Sequence, residues 1–312
     1  MIPQKLHIAA VVANWNGGDE NQACVRSLLA QGLAPADIVF VDNGSVDGSR
    51  EAVERAFPGL TIIRNSSNLG FGEASNQGAR AALARGADAV FFVNNDVELP
   101  TGALDALAQE LVAEKSIGIV GPRVLYKQDP SRVWCAGGML TWRENLSTLL
   151  GHREPDSAEH RERKVVDYIP GCALLARREV LEKVGMFDAT FFAYMEDVDL
   201  CLRATQGGYQ VRLVGDVAAF HSTSSSTGGG YNPRRKYMMG VNSIWFLRRH
   251  ALPAQWARFV VYDVLSLPVL WIVGVFRGRG RAVLAKALGI VDGLRGKRVT
   301  AESIQEGGGW LW

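Results

Sequence analysis

The chain has 312 residues, 47% of them hydrophobic and 21% charged, with a formal net charge of +2. That is room for about two domains and a sizeable core, and the composition excludes a disordered, collagen-like or small disulfide-bonded chain. The near-balanced charge excludes a nucleic-acid-binding surface over the whole molecule. Residues 277–298 nevertheless carry seven basic side chains against a single acid, Asp292. Cys24, Cys135, Cys172 and Cys201 form no CxxC pair. They read as reduced thiols in a core rather than as zinc ligands.

The first 121 residues alternate between short apolar runs and helical periods. Ile8–Ala13 is the first run and stops at Asn14-Trp15-Asn16, so no secretory leader is expected. A helical face with Cys24, Leu28 and Leu29 follows. Asp37–Asp42 is a second strand, and Ser45 and Asp47 are candidate caps of the next helix. Leu60–Ile63 is a third strand, Glu73–Arg85 a helix, Ala89–Val93 a fourth strand, 102–114 a helix and Ile117–Val120 a fifth strand. Strands alternating with helices predict βαβ units on a mostly parallel sheet. Residues 122–170 are less regular. Val165–Arg177 restores order, helices follow at 179–184 and 196–205, and strands at 210–214 and 218–221. Residues 222–230 are all Ser, Thr or Gly and read as a mobile lid.

Polar residues cluster after the strand ends: Asn14 and Asn16, Asp42 and Asn43, then Asn94, Asn95 and Asp96. In open α/β sheets ligands bind outside the carboxyl ends of the strands. Gly70-Phe71-Gly72 begins like a dinucleotide fingerprint but has Ser75 where the third small residue belongs. Asn94-Asn95-Asp96 suits Mg²⁺ or Mn²⁺ completed by water and substrate phosphate, or is simply a polar turn. Glu196, Asp197 and Asp199 open a helix after Phe191-Phe192. They either complement the helix dipole or include a desolvated carboxylate able to act as a base. Arg234, Arg235 and Lys236, after the Ser/Thr/Gly loop, read either as a basic cluster able to meet a diphosphate or as a solvated helix start.

Phe259–Phe276 is the most hydrophobic window. It is 18 residues long and contains Asp263 and Pro268. A spanning helix wants ~20 mainly apolar residues, so an interfacial or re-entrant segment is expected, with the basic residues 277–298 meeting anionic lipid. The competing reading is a buried core helix with a basic tail.

These residues together resemble the inverting nucleotide-sugar glycosyltransferases of the GT-A fold, in the rhamnosyltransferase-like branch of glycosyltransferase family 2. The matching segments run in order: Val11–Asn16, Val41–Ser49, Asn68–Phe71 with Asn76 and Gly78, Asn94–Asp96 at the DxD position, Gly171–Arg177, Gly185–Asp188, Phe191-Phe192, Glu196–Leu200, and His221. The resemblance implies three regions. Residues 1–121 are the nucleotide-sugar-binding half, 122–250 the acceptor-binding half, and 251–312 a membrane-associating helical extension. It implies Asp197 as the base, with Glu196 orienting it or the acceptor. Asp96 and His221 become metal ligands for Mg²⁺ or Mn²⁺. Asn14, Asn16, Asp42, Asn68, Gly70, Asn76, Asn94 and Asn95 become the donor contacts. The implied reaction moves a hexose, L-rhamnose from dTDP-L-rhamnose, to a polyprenyl-diphosphate-linked saccharide at the cytoplasmic membrane face, in cell-envelope polysaccharide synthesis. A different hexose or acceptor, a non-catalytic sugar-nucleotide binder and a nicotinamide enzyme are the alternatives. Asn94 replaces the first Asp of the DxD motif, and Ser75 stands where relatives have Asn.

Overall fold

β1 (Ile8–Asn14) is buried along nearly its whole length, as expected for the central strand of a parallel sheet covered on both faces. A computed structural model describes residues 6–222, 231–305, 308–309 and 311–312. The chain continues through α1 (Glu20–Leu29), β2 (Ile38–Asp42), α2 (Ser49–Ala56), β3 (Thr61–Arg64), α3 (Phe71–Ala84), β4 (Ala89–Asn94), β5 (Val97–Glu98), α4 (Ala103–Ala113) and β6 (Ile117–Tyr126). Then come β7 (Val133–Cys135), β8 (Gly138–Leu140), β9 (Ser147–Leu149), β10 (Arg163–Val165), β11 (Ala173–Arg177), α5 (Arg178–Val184), α6 (Glu196–Gln206) and β12 (Gln210–His221). The helices α7 (Pro233–His250), α8 (Pro253–Phe259), α9 (Leu267–Phe276), α10 (Gly280–Leu294) and α11 (Ala301–Ile304) complete it.

Among the described residues the main sheet has ten strands, in the order β10-β12-β6-β11-β4-β1-β2-β3, with β5 on β12 and β7 on β6. β3, β2, β1 and β4 are parallel, and β11 enters antiparallel beside β4. The chain steps outward from β1 to β3, then returns to β4 on the other side of β1. That reversal opens the crevice where α/β sheets bind ligands. Registry brings Asn14 opposite Asp42 and Ala13 opposite Asn94, so the polar strand ends stand level. α3 lies close on the sheet because Gly78 has no side chain. A Cβ there would stand 2.4 Å from Val11 Cγ1.

Two compact units emerge. The first holds 1–139, 149–187 and 197–223, and the second 140–148, 188–196 and 224–312. β6 runs unbroken through residues 121 and 122, so strands from both expected halves of the transferase domain join the one sheet. The two short strands expected at 210–214 and 218–221 are one strand, β12, whose pairing with β6 shifts between Val214 and Ala218. Of the expected lid, only Ser222 lies among the described residues. All four cysteines are free and buried.

In the second unit α7 and α10 pack in the same direction. Tyr237 meets Gly289 and Ile244 meets Gly293, and a Cβ on Gly289 would lie 2.2 Å from the Tyr237 carbonyl oxygen. The connecting helical run, Pro253–Phe276, is 24 residues, longer than the 18-residue apolar window suggested and long enough by length and composition to cross a membrane. Pro268 sits in the first turn of α9, where a missing N–H costs nothing. Only 17% of the run's apolar window is buried, which removes the core-helix reading. Asp263, the charge near the start of that window, is fully buried on the inner side, ion-paired with Lys286 and accepting the Asn145 N–H at 3.1 Å. The outward side is left apolar, with Leu265 and Val269 each 64% exposed and Phe276 87%.

Candidate active site

The strand-end asparagines form an internal scaffold. Asn14 is 1% exposed. Its Nδ2 donates toward Asp42 Oδ1, Ser45 Oγ and Ser49 Oγ at 3.0–3.1 Å. Its Oδ1 accepts from the Gly17 N–H and from Asn95 Nδ2, both at 3.1 Å. Asn95 also donates to Asn21 Oδ1. Asn16, at φ 52°, donates its N–H to Ser45 Oγ and accepts the Val46 N–H on its side chain. A residue in this left-handed conformation is tolerated best as Asn or Gly. Asn68 Oδ1 accepts from Asn43 Nδ2 and from the Gly70 N–H, both at 2.8 Å. Together these bonds hold the β1, β2 and β3 loops at fixed spacing around the crevice.

Asn76 is likewise engaged. Its Nδ2 donates to the Phe187 carbonyl at 2.7 Å, and its Oδ1 accepts the Phe187 N–H at 3.0 Å. A buried side chain that mimics a peptide unit in this way pins the 185–188 segment to α3. Asn76→Ala is therefore expected to cost ~2 kcal/mol or more of stability, because two buried backbone groups lose their partners. Chemical denaturation measures this. A destabilisation under 0.5 kcal/mol would remove the clamp.

Asn94 differs from its neighbours, since its side-chain amide makes no hydrogen bond among the described residues and is free for a ligand. The adjoining Asp96 is 8% exposed. Its Oδ1 is buried, lies 3.1 Å from His221 Nε2 and accepts no well-aligned hydrogen bond. His221 Nδ1 is also buried without a partner. The sheet makes this pair: β5 and β12 run antiparallel with His221 opposite Val97, the residue after Asp96. Trp134 on β7 packs edge-on against His221, ring centroids 4.6 Å apart. Residues 122–170 had offered no sign of that tryptophan's role, because its contact depends on a sheet edge formed by distant strands. No cluster of three or more His, Cys, Asp or Glu occurs among the described residues. A cation here would need ligands from substrate and water besides Asp96 and His221. An orphaned carboxylate oxygen beside a histidine fits that demand.

Asp197 opens α6. Its Oδ2 accepts the Gly171 N–H at 2.9 Å and its Oδ1 the Val198 N–H at 2.8 Å. Each oxygen keeps a second lone pair. The carboxylate retains some accessible surface, yet it sits deep, and that desolvation raises its pKa above the ordinary aspartate value despite the two backbone bonds. Gly171 belongs to the glycine-led strand segment before β11. A Cβ there would press on Phe71 at 3.2 Å and on Asp197 Cβ at 3.5 Å. Asp199 is fully buried and ion-paired with Arg203 at 2.7 Å. Arg203 also donates to the Met186 carbonyl at 2.7 Å, so this acid fastens a loop and takes no proton from substrate. The i, i+4 spacing of Asp199 and Arg203 was the available signal.

In the second unit, Tyr194 and Met195 precede α6 with φ of 71° and 78°. Such conformations cost ~1–3 kcal/mol each in non-glycine residues. Asn242, wholly buried on α7, holds them by donating to the Ala193 and Tyr194 carbonyls, both at 2.8 Å. Glu196 is buried as well. Arg234, Arg235 and Lys236 occupy the first turn of α7, where Asn232 caps the Arg234 N–H.

The sequence profile described as glycosyl transferase family 2 matches residues 10–185. An N-acetylglucosaminyl-diphospho-decaprenol L-rhamnosyltransferase of Mycobacterium tuberculosis is 27% identical over 240 residues, covering 71% of this chain and 78% of that one. A dTDP-rhamnosyl transferase, RfbF of Shigella flexneri, is 25% identical over 304 residues, covering 93% and 96%. Among solved structures, a mannosyltransferase of Pyrobaculum calidifontis in complex with GDP-Man and Mn²⁺ aligns over 95% of this chain and 89% of its own. Its TM-score is 0.59 at 17% identity. The fold is that of the GT-A-type neighbours, and the chain belongs to glycosyl transferase family 2.

Proposed function

We propose that this protein is an inverting hexosyltransferase that moves L-rhamnose from dTDP-L-rhamnose to a hydroxyl of a polyprenyl-diphosphate-linked saccharide. The observation that carries the sugar is the agreement of two relatives, in Mycobacterium and Shigella, on a rhamnosyl donor. The lipid acceptor follows from the Mycobacterium relative and from the exposed apolar run.

Asp197 accepts the proton of the acceptor hydroxyl as its oxygen attacks the anomeric carbon. The bond from that carbon to the diphosphate oxygen breaks, the nucleoside diphosphate leaves, and configuration inverts. The Gly171 and Val198 amides hold the carboxylate in one orientation. Asp96 and His221 would hold Mg²⁺ or Mn²⁺, and the bound ion would stabilise negative charge on the departing diphosphate. Asn94 is positioned for the donor, while Asn14, Asn16, Asp42, Asn68, Gly70, Asn76 and Asn95 shape the crevice. Glu196 orients the acceptor or Asp197. The protein works from the membrane surface on the cytoplasmic face, where nucleotide sugars are made.

A thermal-shift panel of nucleotide sugars with and without Mn²⁺ tests the donor. A ligand at 100-fold its dissociation constant stabilises by ~2.7 kcal/mol. The dTDP-L-rhamnose shift should be the largest and should grow with Mn²⁺. A larger shift with another hexose would replace the sugar. In Asp96→Ala the Mn²⁺-dependent part of the shift should disappear. Its survival would take Asp96 out of the metal site.

A further inference from the structure

Among its described residues, the second unit carries cations that no carboxylate neutralises. Lys236 is 7% exposed. Its ammonium lies 4.4 Å from the Tyr231 ring centroid, and the Arg279 guanidinium lies 5.5 Å from the same centroid. Arg235 stands over Tyr194 at 5.2 Å, and its Nε is buried without a partner. Among the described residues none of these three cations pairs with an acid. The acids whose charge reaches Lys236 are Glu144, which is exposed, and Asp263, which Lys286 and Asn145 already hold. Burial, then the like charges of Lys286 and Arg235, push the Lys236 ammonium down to about 8. A desolvated ammonium without a counter-charge is costly, and an anion seated against it would remove that cost.

The surroundings indicate which anion. Arg279 follows Phe276 by three residues, at the end of the exposed apolar run. A ligand whose charged head meets Arg279 and Lys236 has an apolar surface beside it for a hydrocarbon chain. Three cations over two rings, at the start of an 18-residue helix, suit a diphosphate better than a single carboxylate. We infer that Arg235, Lys236 and Arg279 form an anion site for the diphosphate of a prenyl-linked acceptor, whose chain lies along the exposed side of α9. This rests on the lipid-acceptor reading above but is independent of the sugar.

Binding of farnesyl diphosphate to the full-length protein tests it, with dTDP and vesicles containing anionic lipid as parallel probes. Arg279→Gln and Lys236→Met should each weaken farnesyl diphosphate at least tenfold and leave dTDP unchanged. They should also raise KM for a lipid-diphosphate acceptor tenfold without changing donor KM. Lys236→Met removes a buried charge, so its thermal midpoint should hold or rise. Unchanged farnesyl diphosphate binding in both variants overturns the site. So does weakened dTDP binding, which would assign the cations to the donor, or a loss confined to anionic vesicles, which would assign them to headgroups. If rhamnosyl transfer fails while the variants still lose farnesyl diphosphate, the anion site stands and only the sugar is wrong.

Discussion

Asp197→Asn is expected to lower turnover by ~10² or more while donor affinity stays within a few-fold of wild type, the result for loss of a general base. The substitution is not perfectly isosteric in function. Asp197 accepts two backbone N–H bonds, one on each oxygen, and an asparagine can accept only one while its NH₂ faces the other donor. Some loss of stability, ~1 kcal/mol, is therefore expected and is offset in part because a desolvated charge is no longer buried. Activity, measured under conditions where both proteins are folded, is the deciding quantity. The pH profile gives a second check. A carboxylate must be ionised to take a proton, and this one has a raised pKa, so activity should fall with decreasing pH at a higher pH than an ordinary aspartate gives. That acidic limb should be absent from the residual rate of Asp197→Asn. Wild-type turnover in the variant would shift the role to Glu196, since Asp199 is locked to Arg203.

The parts of this architecture that lie within single segments could be read in advance. β1, β2 and β4 show as unbroken apolar runs because parallel strands are buried on both faces, and the polar residues after them mark the crevice. What could not be read was how each polar side chain is used. Asn14, Asn76 and Asn94 look alike in a sequence, yet Asn14 and Asn76 are engaged with protein groups and Asn94 is not. That distinction depends on partners 28 to 111 residues away. β12 reads in the sequence as two short runs, 210–214 and 218–221, whereas a pairing shift between them absorbs the irregularity without ending the strand. β5, two residues long, has no periodicity to detect. Asp263 looked like a charge in a membrane-facing surface and proves to point inward, because its partner Lys286 lies on a helix 23 residues further on.

Replacing Leu265, Ile272 and Phe276 together by serine is expected to reduce binding to liposomes by ~10²-fold without unfolding the protein. The three are 64%, 53% and 87% exposed, so they contribute little to the folded core. Complete burial of such a side chain is worth ~1.5–3 kcal/mol. Incomplete burial in an interface at ~1 kcal/mol each gives ~3 kcal/mol in total, and 1.4 kcal/mol is a factor of ten. Substitution is a cleaner test than truncating the chain before residue 256. Truncation removes Ala285, Val299, Ile304 and Leu311, which pack with Phe192, Tyr237 and Met238 in the core of the second unit. The helical run leaves the end of α7 and returns to α10, which packs along α7. Both ends therefore return to the same unit, as a peripheral segment requires and a simple span does not. Arg277 and Arg281 add attraction to anionic lipid of ~1 kcal/mol each near the surface. High salt should remove that part and leave the apolar part. Transfer to a long-chain lipid acceptor in vesicles should fall with binding, while donor affinity should not change. Equal liposome binding by the triple variant and the wild type would show that this surface does not meet the membrane.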